Sequence, residues 1–392
     1  MKVLYITYEN LFSTAILQAM VVKPLSILSR KYNIEFIVTS SCKEFEKNKI
    51  YYHNKKIVEQ ETNLKVKEFE KKLNNKQSVL TFFQDIYPQI LFAIKEAKKS
   101  DLIHCRGYGA SVIGYIVSVF SNKPFIFDMR GLLPEETVDV GKISKYSFKF
   151  RLLKFVENFL IQRSNLVFTV SEKFNTHIKQ SFKISNSINL NNPSDFNMYH
   201  KNNNQHKRIN FIYSGSNQVW HLPEKTIQIF SELEKKYKEK VFLYFCCNDK
   251  LNIKKIFDKF DVPEASYELN QVPFNEMPNY YSKANIAFCL IKNSFSKSVC
   301  FPVKFSEYIA ANLYVIGNKD IGDIPDIIRK YKCGLVLSNI DDIENSVNEI
   351  GATIESMLND NIDYYDRNNL SFLDWNQSGI DTIFHSYQKL VK

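Results

Sequence analysis

Five short apolar runs alternate with longer stretches of helical periodicity through the first half of the chain, and this rhythm narrows the possible folds more than any other feature. The runs at 3–7, 34–39, 102–105, 125–129 and 166–170 are continuous rather than alternating. Strands of that kind belong to a sheet covered on both faces, because neither face is left to water. Between them the spacing predicts helices over 14–31, 86–99, 111–120, 148–164 and 171–181. Strand, helix and parallel strand in repetition build a doubly wound sheet.

The composition shifts from 188 to 208, where Asn189, Asn191, Asn192, Pro193, Asn202, Asn203 and Asn204 accumulate. Such a segment reads as a linker, placed at 191–208. The rhythm then restarts, with strands expected at 210–214, 241–246, 267–269, 286–291, 314–317 and 334–337. Helices are expected at 224–236, 253–260, 276–283 and 303–311. The predicted fold is α/β, two Rossmann-like doubly wound domains facing a cleft. The first spans 1–190 and takes back a C-terminal helix at 374–392; the second spans 209–373. Open parallel sheets bind ligands beyond the carboxyl ends of their strands.

Composition removes several classes. With 14% aromatic residues, general disorder is excluded. A net charge of +10, from 52 basic and 42 acidic residues, favours phosphate-bearing ligands or an anionic membrane surface. Nucleic acid is not expected, since no recognised binding module accompanies the charge. Seven cysteines, an odd number without a C-x-x-C, argue against a disulfide scaffold or a zinc site and fit a reducing cytosol. The first seven residues are too short an apolar run for a signal peptide. The longest apolar stretch, 110–120, falls short of the roughly 18 residues a membrane span needs. The expected location is therefore cytoplasmic, at most against the inner face of a membrane.

Familiar machinery is missing. There is no G-x-x-x-x-G-K-[ST], no H-E-x-x-H and no D-x-D, so neither a phosphate loop nor a paired-aspartate metal site is expected. Gly107-Tyr108-Gly109 follows a strand, but Gly114 comes two positions too late for G-x-G-x-x-G. Neither a metal nor a resident cofactor is predicted.

The densest signal runs from Phe301 to Ile316. Pro302 suits the first turn of a helix. Lys304 and Glu307 stand three apart near its start, where free N–H groups and the dipole attract phosphate. Lys304 brings a mobile charge for a pyrophosphate, and Glu307 an acceptor for a ribose diol. On spacing alone, an ordinary i,i+3 surface ion pair is equally open.

A second cluster, Phe125 to Glu136, delivers Asp128 and Arg130 to the end of a strand and adds Glu135 and Glu136. Arg130 is suited to stabilising a leaving phosphate or clamping an acceptor. A structural pair at a strand end is the alternative. The functional reading is favoured because four charged groups within nine residues of a buried strand are expensive without a purpose. At 145–155 aromatics interleave with cations, which suits either contact with anionic lipid or a core-facing helix with a solvated basic edge.

The run from Ser298 through Ile316, with Gly322-Asp323 following, resembles the donor-binding segment of GT-B glycosyltransferases of family 4, whose bacterial members show a P-x-K-x-x-E-Y pattern there. Phe211 to Ser216 resembles the first strand and loop of the family's donor domain, and Gln271 to Pro278 the loop that meets the nucleotide base. Thr169 to Glu172 and Trp375 also fall where the resemblance puts them. It implies a retaining, metal-independent transfer from a UDP- or GDP-type sugar to a hydroxyl of a growing bacterial surface glycan, such as capsule or lipopolysaccharide. Donor contacts would then come from Gly215, Ser216, Val272, Pro273, Ser298, Lys304 and Glu307. Asp128 and Arg130 would act with Lys304 and Glu307 in catalysis, and Tyr108, Glu135 and Glu136 would line the acceptor. Three positions depart from the family's pattern. Cys300 stands where many members carry Glu, Ser216 where many carry Arg, and the loop 8–13 has no Gly-Gly. A two-Rossmann sugar-nucleotide epimerase or isomerase, and a non-catalytic glycan- or partner-binding member, are the alternatives.

Overall fold

The computed structural model describes residues 1–71, 79–200, 208–216, 220–359 and 365–392. They divide into two units, Met1–Asn191 with Asn376–Lys392, and Asn192–Trp375.

The first unit holds strands β1 (Lys2–Thr7), β2 (Glu35–Cys42), β3 (Lys65–Glu70), β4 (Leu102–Arg106), β5 (Phe125–Asp128), β6 (Leu166–Thr169) and β7 (Ser187–Asn189). They form one sheet in the order β3-β2-β1-β4-β5-β6-β7, every neighbour parallel. The chain winds outward from β1 in both directions, so the strand order reverses between β1 and β4. Register places Thr7 beside Arg106, and Arg106 beside Asp128. Three polar side chains thus share one row at the carboxyl edge. Sequence periodicity missed β3, whose Lys-Val-Lys-Glu-Phe-Glu alternation suits a half-solvated edge strand rather than a covered one. It also missed the polar helix Lys49–Glu61, which buries only Tyr51 and Val58. The helix expected over 14–31 is present but broken in register. A π turn, Gln18–Val22, separates Ala15–Leu17 from Lys23–Tyr32. Insertions of this kind widen the helix by a residue and often mark functional positions.

The second unit holds β8 (Ile209–Ser214), β9 (Val241–Cys246), β10 (Tyr267–Asn270), β11 (Ile286–Cys289), β12 (Tyr314–Asn318) and β13 (Gly334–Leu337). Their order is β10-β9-β8-β11-β12-β13, again all parallel, with the reversal between β8 and β11. Its core is aromatic: Phe211 stacks on Phe288 at 5.3 Å and Tyr213 on Phe245 at 4.3 Å. Helices Ile324–Tyr331 and Ile343–Leu358 complete the sheet's cover.

Residues 201–207 of the expected linker lie outside the described residues. Residues ahead of them are packed into the second unit. Asn192, Ser194 and Asp195 are buried, Ser194 N donates to Leu373 O at 2.8 Å, and Trp375 N donates to Ser194 O at 2.9 Å. The closing segment is a π turn, Trp375–Gly379, followed by helix Ile380–Val391. That helix buries Ile380, Ile383 and Tyr387, stacks Phe384 on Tyr32 at 3.6 Å, and pairs Asp381 with Lys31 at 2.6 Å. Among the described residues no helix is long and apolar enough to cross a membrane.

Candidate active site

In the second unit Pro302 caps the helix Val303–Ala310, which carries Lys304 in its first turn and Glu307 one turn on. Neither side chain is spent on bulk solvent. Lys304 is 7% exposed and Glu307 is half-buried. They do not close on each other as a hydrogen-bonded pair. Lys304 Nζ lies 4.8 Å from the centroid of the Tyr213 ring and has no hydrogen-bond partner among the described residues. Burial pulls its pKa below the usual lysine value, although Cys289 and Glu307 nearby act the other way. An ammonium kept off water without an anion is unfavourable, and an anion at this position would relieve that cost.

Glu307 turns instead toward the sheet. Its Oε2 accepts from Tyr281 OH at 2.9 Å; Tyr281 OH meets Ser214 Oγ at 2.9 Å; and Ser214 Oγ meets Tyr308 OH at 3.0 Å. Burial raises the Glu307 pKa, opposed by the Tyr281 hydroxyl and the Lys304 charge. The chain of hydroxyls fixes the carboxylate's orientation while leaving its other oxygen available. Gly215 and Ser216 follow β8 at the same edge, with Gly215 N donating to Cys246 O at 3.1 Å and Tyr213 OH donating to Ser216 O at 3.3 Å. A Cβ on Gly215 would come within 3.1 Å of Tyr213 Oη and 3.5 Å of His221 Nδ1. The Tyr213 and His221 side chains therefore already crowd this glycine.

Ser298 closes the turn Phe295–Lys297, its Oγ donating to Phe295 O at 2.8 Å. Val272 and Pro273 follow β10, two strands away from β8 at the same carboxyl edge. Val272 is half-buried and Pro273 exposed. Cys300 is half-buried, and its carbonyl faces Gly322, which has φ +42°. Gln218 lies outside the described residues.

In the first unit Asp128 ends β5 and is 4% exposed. Arg130 Nη1 donates to its Oδ1 at 2.9 Å, while His104 Nε2 and Arg106 Nη1 stand 3.7 and 3.8 Å from Oδ2. Burial works to raise the Asp128 pKa, but the Arg130 charge, the His104 imidazole and the Arg106 charge outweigh it and hold the carboxyl well below its usual range. Arg130 also reaches Met20 Sδ of the π turn at 3.7 Å. Glu9 pairs with Arg106 at 3.8 Å. His104 Nδ1 meets Tyr387 OH of the closing helix at 2.6 Å, and burial keeps the imidazole below its ordinary pKa.

Tyr108 OH donates to Gly131 O at 3.2 Å and to the fully buried Glu157. Lys154 bridges Glu157 and Glu135, the latter at 3.0 Å. Tyr108 and Glu135 therefore brace the turn after Arg130, and Glu136 lies against Gly131, where an added Cβ would meet its Oε1 at 2.8 Å. Sequence reasoning passed over His104, Arg106, Glu9 and Tyr387. The signal for two of them was present, since an imidazole and a guanidinium inside the apolar run Leu-Ile-His-Cys-Arg need partners. Tyr387 carried none, because only the fold brings it to β4.

Residues 195–370, inside the second unit, match the family model Glycosyl transferases group 1. A comparison with curated proteins finds no match. Solved structures share the fold at low identity. Sucrose-phosphate synthase from Thermosynechococcus elongatus has a TM-score of 0.70 at 11% identity, covering 99% of this chain and 98% of that one. Anabaena HepE in complex with UDP and glucose has a TM-score of 0.65 at 14% identity, covering 98% and 100%. A Listeria monocytogenes structure assigned as a UDP-N-acetylglucosamine 2-epimerase has a TM-score of 0.61 at 9% identity, covering 99% and 96%. Two parallel-sheet units, and a match to this model over residues 195–370, lead to one conclusion: the chain has the GT-B fold, and its second unit is similar to Glycosyl transferases group 1.

Proposed function

We propose that this enzyme moves a sugar from a nucleotide-diphosphate sugar to a hydroxyl of a growing bacterial surface glycan, with retention of configuration and without a metal. The observation that carries the reading is the buried, unpartnered Lys304 ammonium beside Tyr213 and Gly215. As the glycosidic bond to the diphosphate breaks, negative charge grows on the leaving oxygen. A cation already stripped of water stabilises it with little reorganisation. Glu307, oriented by Tyr281, takes the ribose diol; Val272 and Pro273 meet the base; Ser216 and Ser298 flank the diphosphate. HepE holds UDP and glucose, which favours a uridine nucleotide.

The first unit takes the acceptor. Arg130, held rigid by Asp128, points a guanidinium at the carboxyl edge, and Tyr108, Glu135 and Glu136 shape the neighbouring turn. Contact with an anionic membrane surface belongs to this unit too. Tyr146, Phe148 and Phe155 are 85%, 80% and 66% exposed among the exposed cations Lys145, Lys149 and Arg151. Aromatics that reach the interface and lysines that meet lipid phosphates would hold the enzyme beside a lipid-linked acceptor.

Calorimetry with UDP, GDP and ADP on the intact chain tests the donor reading. Lys304→Ala and Glu307→Ala should weaken nucleotide binding, each by about tenfold or more for a lost charged hydrogen bond. Unchanged affinity in both would overturn it. The shared fold of the Listeria epimerase keeps a second reading open, a sugar-nucleotide epimerase. Product formed from donor alone, with no acceptor present, would favour that instead.

A further inference from the structure

One polar atom beside Lys304 remains unexplained by these roles. His221 Nδ1 is buried and has no hydrogen-bond partner among the described residues. It stands 3.5 Å from where a Gly215 Cβ would lie, and Tyr213 OH reaches back to His221 O at 3.4 Å. The same Tyr213 ring carries Lys304 Nζ over its face. Two orphaned polar atoms, one cationic and one able to donate, thus converge on a single tyrosine at the end of β8. Lys297, buried and lying 4.1 Å from the Trp220 ring centroid, adds a second positive group nearby. Burial, with Lys304 and Lys297, drives the His221 pKa down to about 3, so the imidazole enters the site neutral. A neutral imidazole in a positive field is a hydrogen-bond donor without the cost of burying another charge.

We infer that His221 Nδ1–H is a direct ligand of the donor diphosphate, acting with Lys304 on the same phosphate group. The inference rests on the donor reading above and names a contact that it lacks. It also supplies a donor where Ser216 offers no charge: His221, five residues downstream, has its Nδ1 beside Gly215.

Titration of the intact chain with UDP, GDP, ADP and inorganic pyrophosphate, and with the matching nucleosides, tests it. In His221→Ala, whichever diphosphate binds the natural protein should bind about tenfold more weakly, as expected for one lost hydrogen bond to a charged group. Nucleoside affinity should not change. His221→Asn sets an amide nitrogen near the Nδ1 position and should recover most of the loss. His221→Gln, whose amide reaches the other ring nitrogen's position, should not. Unchanged diphosphate affinity in His221→Ala overturns the inference while leaving the donor reading intact. So does an equal fall for nucleosides, which would mark a merely structural role. If His221→Ala fails to fold, the contrast between Asn and Gln decides alone, and equal behaviour of the two overturns the contact. A natural protein silent toward all four diphosphate probes overturns both readings together.

Discussion

Tyr281 donates its hydroxyl to Glu307 across 2.9 Å, joining helix Met277–Tyr281 to helix Val303–Ala310. The same oxygen meets Ser214 Oγ, so a single phenol ties the carboxylate to the end of β8. Tyr281→Phe removes both bonds without changing the ring packing. Burial already raises the Glu307 pKa, and the Tyr281 hydroxyl is what opposes it most. The carboxylate accepts from a ribose diol more strongly when ionised, so nucleotide binding should weaken as pH falls through the raised value. In Tyr281→Phe that weakening should begin at a higher pH, with stability reduced by about 1–2 kcal/mol. A Kd–pH profile superimposing on that of the natural protein would contradict the assignment.

Arg130→Met would leave Asp128 buried with its nearest cation gone and Arg106 at 3.8 Å. Breaking a buried pair from one side costs roughly 3 kcal/mol. Because the folded Asp128 pKa lies below its unfolded value, this pair contributes stability above the unfolded pKa and loses it as pH falls through the folded one. Arg130→Met should therefore melt lower at pH 7 and show a shallower further loss below pH about 4. Transfer to acceptor should fall while nucleotide affinity holds. Equal loss of both would move Arg130 out of the acceptor role.

Gly322 has φ +42°, and a Cβ there would sit 2.0 Å from Cys300 O. Backbone cannot yield as a side-chain tip can, so Gly322→Ala should cost more than about 1 kcal/mol. Because Cys300 lies just before the helix bearing Lys304, nucleotide affinity should drop as well. Thermal melting and calorimetry read the two effects. A variant as stable as the natural protein would show that the turn relaxes freely.

Phe148→Ser with Phe155→Ser removes exposed rings, so the fold should tolerate both changes. Co-sedimentation with vesicles containing anionic lipid should fall, and fall again with added salt. Retention by neutral vesicles to the same extent would argue against a charged surface as the partner.

Much of the architecture was legible because covered parallel strands are written as uninterrupted apolar runs. Both sheets' central strands were readable this way. Edge strands were not: β3 carries alternating charge and β7 has three residues. Helices Ile324–Tyr331 and Ile343–Leu358 were missed although apolar residues recur along them, because polar residues dominate their solvent faces. Lys304 and Glu307 stood out by spacing and position after Pro302, and Asp128 with Arg130 by charge at the end of an apolar run. Their partners did not. Tyr281, Ser214 and Tyr308 come from three separate elements, and a hydroxyl inside a core looks, in a sequence, like any other aromatic or small residue. His221 stands near Ser216 in the sequence, but only the fold shows that its nitrogen is left without a partner among the described residues.

The helix Ile380–Val391 belongs to the first unit although the whole second unit is encoded before it. On the ribosome, the first unit is consequently completed only after the second has been synthesised. Until Tyr387 emerges, His104 has no hydroxyl to meet and the apolar groove for Ile380 and Ile383 stands open. A nascent chain halted before that point would expose apolar surface on the first unit, which docking of this helix then covers.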